Sequence, residues 1–286
     1  MIPNEIIDFI SHSLDFKLLN TQSVSGGSIN QAVKLSTNKG DFFLKWNRNA
    51  PGDFFKKEAE GLVHLRTAKS DLIIPEVFAV GQPKKKLPGF LLIEFIKEGS
   101  TGDSFQFGAE LAKLHQTKTE TFGLDEDNYI GSLPQKNHRH EHWDSFFIEE
   151  RINPQLKMAV DSGKIDVEIL SNWGQLSSQL KDLLPPCEPS LLHGDLWSGN
   201  YLFNKDGKAV LIDPAIYYGH PEMDLAFSKM FGGFSKEFYD GYESVQPLEP
   251  GFDARIDIYN LYPLLVHVNL FGGGYTNQAV QFLKQF

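Results

Sequence analysis

Leu191-Leu192-His193-Gly194-Asp195-Leu196-Trp197-Ser198-Gly199-Asn200, followed by Leu211-Ile212-Asp213-Pro214, decides how this chain is read. It sets an Asp, an Asn five residues later and a second Asp thirteen further on, with the strand-like stretches Tyr201 to Phe203 and Val210 to Ile212 between them. That spacing suits phosphoryl transfer, in which one carboxylate sits against an acceptor hydroxyl while an amide oxygen and a second carboxylate hold Mg²⁺ on the nucleotide phosphates. Asp195 is the expected general base or hydroxyl-orienting group, and Asn200 and Asp213 are the expected metal ligands, because Mg²⁺ prefers oxygen donors and takes few of them from protein.

Working outward, an ATP site needs a cation for the phosphates and something to hold that cation. In Phe42-Phe43-Leu44-Lys45-Trp46, strand alternation puts Phe42, Leu44 and Trp46 on one face and Phe43 with Lys45 on the other. In the amphipathic stretch Asp53 to Ala68, Phe55, Glu58, Leu62 and Leu65 recur at helical steps, so Glu58 interrupts an apolar stripe while Glu60 points elsewhere. An ammonium and a carboxylate among apolar neighbours are each costly unless they meet. Lys45 is therefore expected on the ATP phosphates, with Glu58 fixing its position.

Just upstream lies Ser25-Gly26-Gly27-Ser28-Ile29-Asn30-Gln31. It fits neither GxGxxG nor a Walker A loop, yet its place before the lysine strand suggests a phosphate-cradling turn through Gly26, Gly27, Ser28, Ile29 and Asn30. Downstream, Leu91-Leu92-Ile93-Glu94-Phe95-Ile96 ends where two lobes should join, and the backbone of Glu94, Phe95 and Ile96 is expected to meet the adenine edge.

The wider pattern is α+β: a protein-kinase-like two-lobe fold around a cleft, with a small antiparallel-sheet N-lobe carrying one main helix and a larger, mostly helical C-lobe. Pro3 to Leu14 has helical spacing; Ala32 to Thr37 and Asp41 to Trp46 read as a hairpin through Asn38-Lys39-Gly40; Val77 to Val80 and Phe90 to Phe95 read as further strands. Helices are expected over Ser104 to Thr117, Trp143 to Ala159, Asp166 to Leu184, Pro221 to Phe231, Lys236 to Ser244, Asp253 to Phe271 and Tyr275 to Phe286. The expected division is 1–96 for the nucleotide lobe, 97–101 for a polar hinge and 102–286 for the catalytic and acceptor lobe.

Composition permits this and narrows the partners. The chain has 286 residues, 41% hydrophobic content and a formal charge of −10, enough apolar material for two cores and no concentrated positive face for nucleic acid. The one cysteine, Cys187, excludes an intrachain disulfide and a Cys-rich metal site. With no secretion signal and no 18-residue apolar run, a cytoplasmic protein without a membrane partner is expected, with a monomer favoured.

Two histidine features read as bland. His193 reads as a structural hydrogen-bonding residue of the loop, and Gly194 stands where a regulated protein kinase has Arg, which argues against an activation-loop switch. His138, His140 and His142 alternate in a polar connection with no Cys nearby and no i, i+4 His pair, so they read as a solvated loop rather than a metal site.

Leu191 to Asn200, together with Phe107-Gly108-Ala109-Glu110-Leu111-Ala112-Lys113-Leu114-His115 and Phe122-Gly123 through Asn128-Tyr129-Ile130-Gly131-Ser132, resembles the fructosamine-3-kinase (ketosamine-3-kinase) family. Gln135, Asn137, Trp143, Phe146-Phe147, Glu150-Arg151, Pro154-Gln155, Leu261-Tyr262, His267 and Phe271-Gly272 to Tyr275 extend the resemblance over nearly the whole chain. It implies ATP- and Mg²⁺-dependent phosphorylation of the 3-hydroxyl of a fructosamine, ribulosamine or erythrulosamine, free or protein-bound, with release of the amine as repair of glycation. Asp224 then reads as a helix-start carboxylate bracing the catalytic loop. Trp197 and His267 are candidate sugar contacts, with Asn269 and Tyr275 nearby in sequence. The catalytic triple alone also fits kinases of aminoglycosides, choline or homoserine, and a nucleotide-binding pseudokinase remains a third reading.

Overall fold

The computed structural model describes residues 2–24 and 30–286. The expected phosphate-loop residues Gly26, Gly27, Ser28 and Ile29 lie outside them. The chain divides into two compact units, Met1–Asp103 with Gly199–Pro214, and Ser104–Ser198 with Ala215–Phe286. The return of 199–214 to the first unit is a long-range feature that the linear division at 97–101 does not contain.

The first unit is built from α1 (Asn4–Leu14), β1 (Leu18–Ser23), β2 (Gln31–Thr37), β3 (Gly40–Asn47), α2 (Phe54–Leu65), β4 (Val77–Gly81) and β5 (Gly89–Glu94). The strands form one antiparallel sheet in the order β1-β2-β3-β5-β4. Alternation along β3 sorts its faces as expected: Phe42, Leu44 and Trp46 join Ile6, Ile10 and Phe16 in a core with Val33, Leu35, Phe90 and Leu92. Lys45, on the opposite face, stands between Ala32 and Leu91 in the register. The buried stripe of α2, Phe55, Ala59, Leu62 and Leu65, seats it over β4 and β5, so Glu58 travels with that stripe toward the sheet. Asn4 is the first helical residue of α1, preceded by Pro3.

A short hairpin completes this unit. Tyr201–Phe203 pairs with Ala209–Leu211, and its edge is tied to the segment after β5 by the Gly99 N–H donating to the Phe203 carbonyl at 2.8 Å and to the body by the Ile73 N–H donating to the Ala209 carbonyl at 2.9 Å.

The second unit is helical. Its tightest crossing brings Ser104–His115 against Lys236–Val245, where a Cβ on Gly108 would lie 1.8 Å from the Phe238 carbonyl oxygen and one on Gly241 1.9 Å from that of Phe105. Only glycine allows the two backbones that close. The expected helix from Trp143 to Ala159 runs from Trp143 to Asp161 but widens to a π turn over Phe147–Ile152. The long Phe252–Phe271 carries Pro263 internally and is buried along most of its length. Among the described residues no helix is long and apolar enough to cross a membrane.

Candidate active site

In the first unit the site is an ion triplet around Lys45. Its Nζ lies against Glu58 Oε1 and 2.7 Å from Asp213 Oδ1, with the lysine 3% exposed. Burial alone would discharge the ammonium, but the Asp213 and Glu58 carboxylates reverse this and hold its pKa above the ordinary lysine value. Burial pushes the Glu58 carboxyl up to about 7, opposed by Lys45 and reinforced by Asp213. One cation thus serves two carboxylates, of which Glu58 is the more buried.

The hairpin explains how Asn200 and Asp213 meet. Leu211 stands opposite Tyr201, and one step further the Ile212 N–H donates to the Asn200 carbonyl at 3.0 Å, so Asn200 and Asp213 flank the open end of one ladder. Asn200 is buried, whereas the Asp213 side chain is about half exposed. Asp213 also holds φ at +54°, a left-handed backbone that Asp tolerates better than most residues, immediately before Pro214. Its Oδ1 is the oxygen on Lys45. An amide oxygen and a carboxylate oxygen on adjacent positions form a hard donor set that fits Mg²⁺ better than a softer metal.

Of the remaining nucleotide-side candidates, Asn30 accepts from Asn47 Nδ2 at 3.3 Å. Glu94 ends β5, where its N–H donates to the Glu76 carbonyl at 2.8 Å; Phe95 and Ile96 follow, half-buried, with Lys34 Nζ 4.6 Å from the Phe95 ring centre.

In the second unit, Asp195 sits on a loop fixed from beneath. Asp224, buried, accepts the backbone N–H groups of His193 at 2.8 Å and Gly194 at 2.9 Å, and its Oδ2 lies 3.2 Å from His115 Nε2. Burial raises its pKa, but the His115 bond, the nearby imidazoles and the Gly194 N–H outweigh that and leave it below the ordinary value. His115 is held at its other nitrogen, 2.8 Å from the Tyr242 hydroxyl. The Asp195 N–H in turn donates to His193 Nδ1 at 3.3 Å, so His193 is the loop's internal brace, as its sequence position suggested. Gly194 turns the loop with φ at +81°, and a Cβ there would lie 2.1 Å from the Ala215 carbonyl oxygen. The missing arginine is thus also a steric requirement of this loop.

The acceptor-side candidates are aromatic. Trp197, exposed, packs edge-on to Phe231 at 6.0 Å, and Phe231 lies 5.1 Å from His267, which lies 4.9 Å from Tyr275. Trp197 and His267 therefore belong to one cluster in this unit, with Phe231, which sequence reasoning did not single out, joining them. Its signal was only the end of a helical stripe. His267 Nδ1 donates to the Pro263 carbonyl at 2.7 Å, which assigns Nε2 as an acceptor, and burial lowers its pKa. Asn269 instead donates to the backbone and side chain of Gln155, both at 2.8 Å, so it is a packing residue.

Against known proteins, a family model described as fructosamine kinase matches residues 3–286. The probable ketoamine kinase of Vibrio parahaemolyticus is 42% identical over 276 residues, covering 94% of this chain and 94% of that protein. The chloroplastic protein-ribulosamine 3-kinase of Arabidopsis thaliana is 38% identical over 272 residues, covering 92% and 81%. Among solved structures, a candidate fructosamine-3-kinase of Thermobifida fusca aligns with a TM-score of 0.86 and 31% identity over 98% of each chain.

Proposed function

Because the chain belongs to the fructosamine kinase family, we propose that it transfers the γ-phosphoryl group of ATP to the 3-hydroxyl of a ketosamine, a fructosamine, ribulosamine or erythrulosamine adduct. The observation that carries this reading on the chain's own residues is Lys45 held between Glu58 and Asp213, a complete phosphate-binding ion set that a non-catalytic relative has no need to retain.

In this reading residues 1–96 bind the nucleotide and 102–286 the acceptor. Lys45, positioned by Glu58, neutralises the phosphates; Gly26 to Asn30 cover them, and the Glu94 to Ile96 backbone takes the base. Asn200 and Asp213 would hold Mg²⁺, which when bound offsets charge on the phosphate oxygens. Asp195, aimed by the His193 and Asp224 brace, orients the acceptor hydroxyl and receives its proton as the new O3–P bond forms and the bond from Pγ to the β-phosphate oxygen breaks. Trp197 offers a stacking face and His267 Nε2 an acceptor for sugar hydroxyls.

The formal charge of −10 does not separate a polycationic acceptor from a ketosamine, whose amine is itself basic. ADP release measured with ribulosyl-lysine, fructosyl-lysine, kanamycin and choline separates the classes. Release with the ketosamines is expected; release confined to kanamycin or choline overturns the assignment.

A further inference from the structure

The alternating histidines of the connection before Trp143 do not stand in solvent alone. His138 Nδ1 lies 3.1 Å from both carboxylate oxygens of Glu150, and His140 Nε2 lies 3.1 Å from Glu150 Oε1. Ligand atoms of His140, Glu149 and Glu150 all fall within 4.8 Å of one another. Two imidazoles therefore meet the Glu150 carboxylate, and Glu149 joins His140 and Glu150 in one cluster of donors.

Three features make this more than a surface cluster. The π turn over Phe147–Ile152 carries Glu149 on its exposed side and Glu150 on its buried side, with a ligand atom of each within 4.8 Å of His140, while Phe146, Phe147 and Ile152 anchor the helix in the core. His140 is fixed before any ligand arrives: its N–H and C=O pair with Phe122 at 3.1 and 2.9 Å, and its ring packs edge-on to Phe146 at 5.8 Å. Glu150 is only 8% exposed, and the neighbouring cations are engaged elsewhere. Arg139 pairs with Asp125 at 2.7 Å and Lys136 with Asp127 at 2.6 Å, while Arg151 donates to the Lys136 carbonyl and to Asn137 Oδ1. A buried carboxylate facing imidazoles rather than guanidinium groups is a site for an added cation.

We propose that His138, His140, Glu149 and Glu150 bind one divalent transition-metal ion of the Zn²⁺ class, clamping the connection to the π turn. The mixed nitrogen and oxygen set selects against Mg²⁺ and Ca²⁺, which take oxygen donors, and the absence of thiolate selects against Cu⁺. Donors about 3.4 Å apart surround a tetrahedral Zn²⁺ at ordinary bond lengths; the His140, Glu149 and Glu150 donors, within 4.8 Å of one another, need only side-chain movement to close onto an ion, and the exposed His138, now on Glu150, completes the set. None of the four residues is assigned to nucleotide, Mg²⁺ or acceptor, and the proposal does not depend on the kinase assignment.

Untagged, chelator-treated protein titrated with Co²⁺ in excess Mg²⁺ tests this, because Mg²⁺ holds the Asn200 and Asp213 position while a His-ligated Co²⁺ absorbs in the visible. The expected result is one saturable equivalent, competed by Zn²⁺, that weakens more than about 100-fold in the double variant His140→Gln, Glu149→Gln. Turnover of that variant with Mg²⁺ and ATP stays at the native level. Should it fold poorly, the exposed His138→Asn variant serves with a smaller loss. A visible band that survives in both variants, or the lack of any saturable band in the native protein, overturns the proposal.

Discussion

Lys45 Nζ and Asp213 Oδ1 lie 2.7 Å apart although 168 residues separate them, and the same ammonium also holds Glu58. The strand that carries the lysine and the hairpin that carries the aspartate are thus fixed to one another before nucleotide arrives. One cation between two carboxylates leaves a net negative charge, which a bound Mg²⁺ would offset.

The pH dependence of the enzyme should report this triplet. Below about pH 7 Glu58 is protonated and lets go of Lys45, which leaves the lysine to Asp213 alone. The kcat/KM for ATP should therefore fall on the acid side with an apparent pKa near 7. In Glu58→Gln that limb should vanish, with kcat/KM about tenfold or more below the native plateau, one lost charge-assisted bond. Folding moves the opposite way: a carboxyl raised from 4.5 to about 7 contributes fully below 4.5, and its contribution is lost as pH climbs through about 7. An unchanged acid limb in the variant contradicts the assignment.

Asp224 should prove to be a structural support of the loop. Replacing it by Ala strands the buried His193 N–H, the partly buried Gly194 N–H and a histidine, and should cost about 3 kcal/mol in urea unfolding, with turnover falling alongside. Because its folded pKa lies below 3.8, the native contribution is present above pH 3.8 and disappears only as pH falls through the lower folded value. A stability loss under 1 kcal/mol, on the order of a surface change, contradicts this role.

Gly194→Ala tests the loop from its other side. The added Cβ meets the Ala215 carbonyl oxygen at 2.1 Å on a backbone with φ at +81°, and neither partner is a flexible side chain. The variant should lose about 2 to 3 kcal/mol and most of its turnover while binding nucleotide normally. Native turnover with an unchanged unfolding midpoint would show that the loop adapts.

His267→Ala should raise the KM for a ketosamine about tenfold, the worth of one good hydrogen bond, and leave the KM for ATP unchanged. If the ATP term moves instead, the aromatic cluster of Trp197, Phe231, His267 and Tyr275 is not on the acceptor side.

Much of the site could be read in the chain because its chemistry is local. Asp195, Asn200 and Asp213 keep their spacing through one loop and one hairpin, and strand alternation with helical steps suffices to turn Lys45 and Glu58 toward each other. What could not be read depended on distant packing. β1 is exposed along nearly its whole length, so Leu18–Ser23 shows no alternation of burial to betray a strand. The return of 199–214 to the sheet unit rests on hydrogen bonds to Ile73 and Gly99, which no local pattern records. The π turn at Phe147–Ile152 looks like plain helix in its residues, and for that reason Glu149 and Glu150 gave no sign of gathering with His140.

The most direct test is to locate the phosphate in the product. The protein incubated with Mg²⁺, ATP and ribulosyl-lysine should give a phosphorylated adduct whose ³¹P resonance couples to the proton on C3 of the sugar, with Asp195→Asn slowing its formation by at least about 100-fold while nucleotide binding persists. Coupling to any other carbon's protons, or native turnover in Asp195→Asn, contradicts the account.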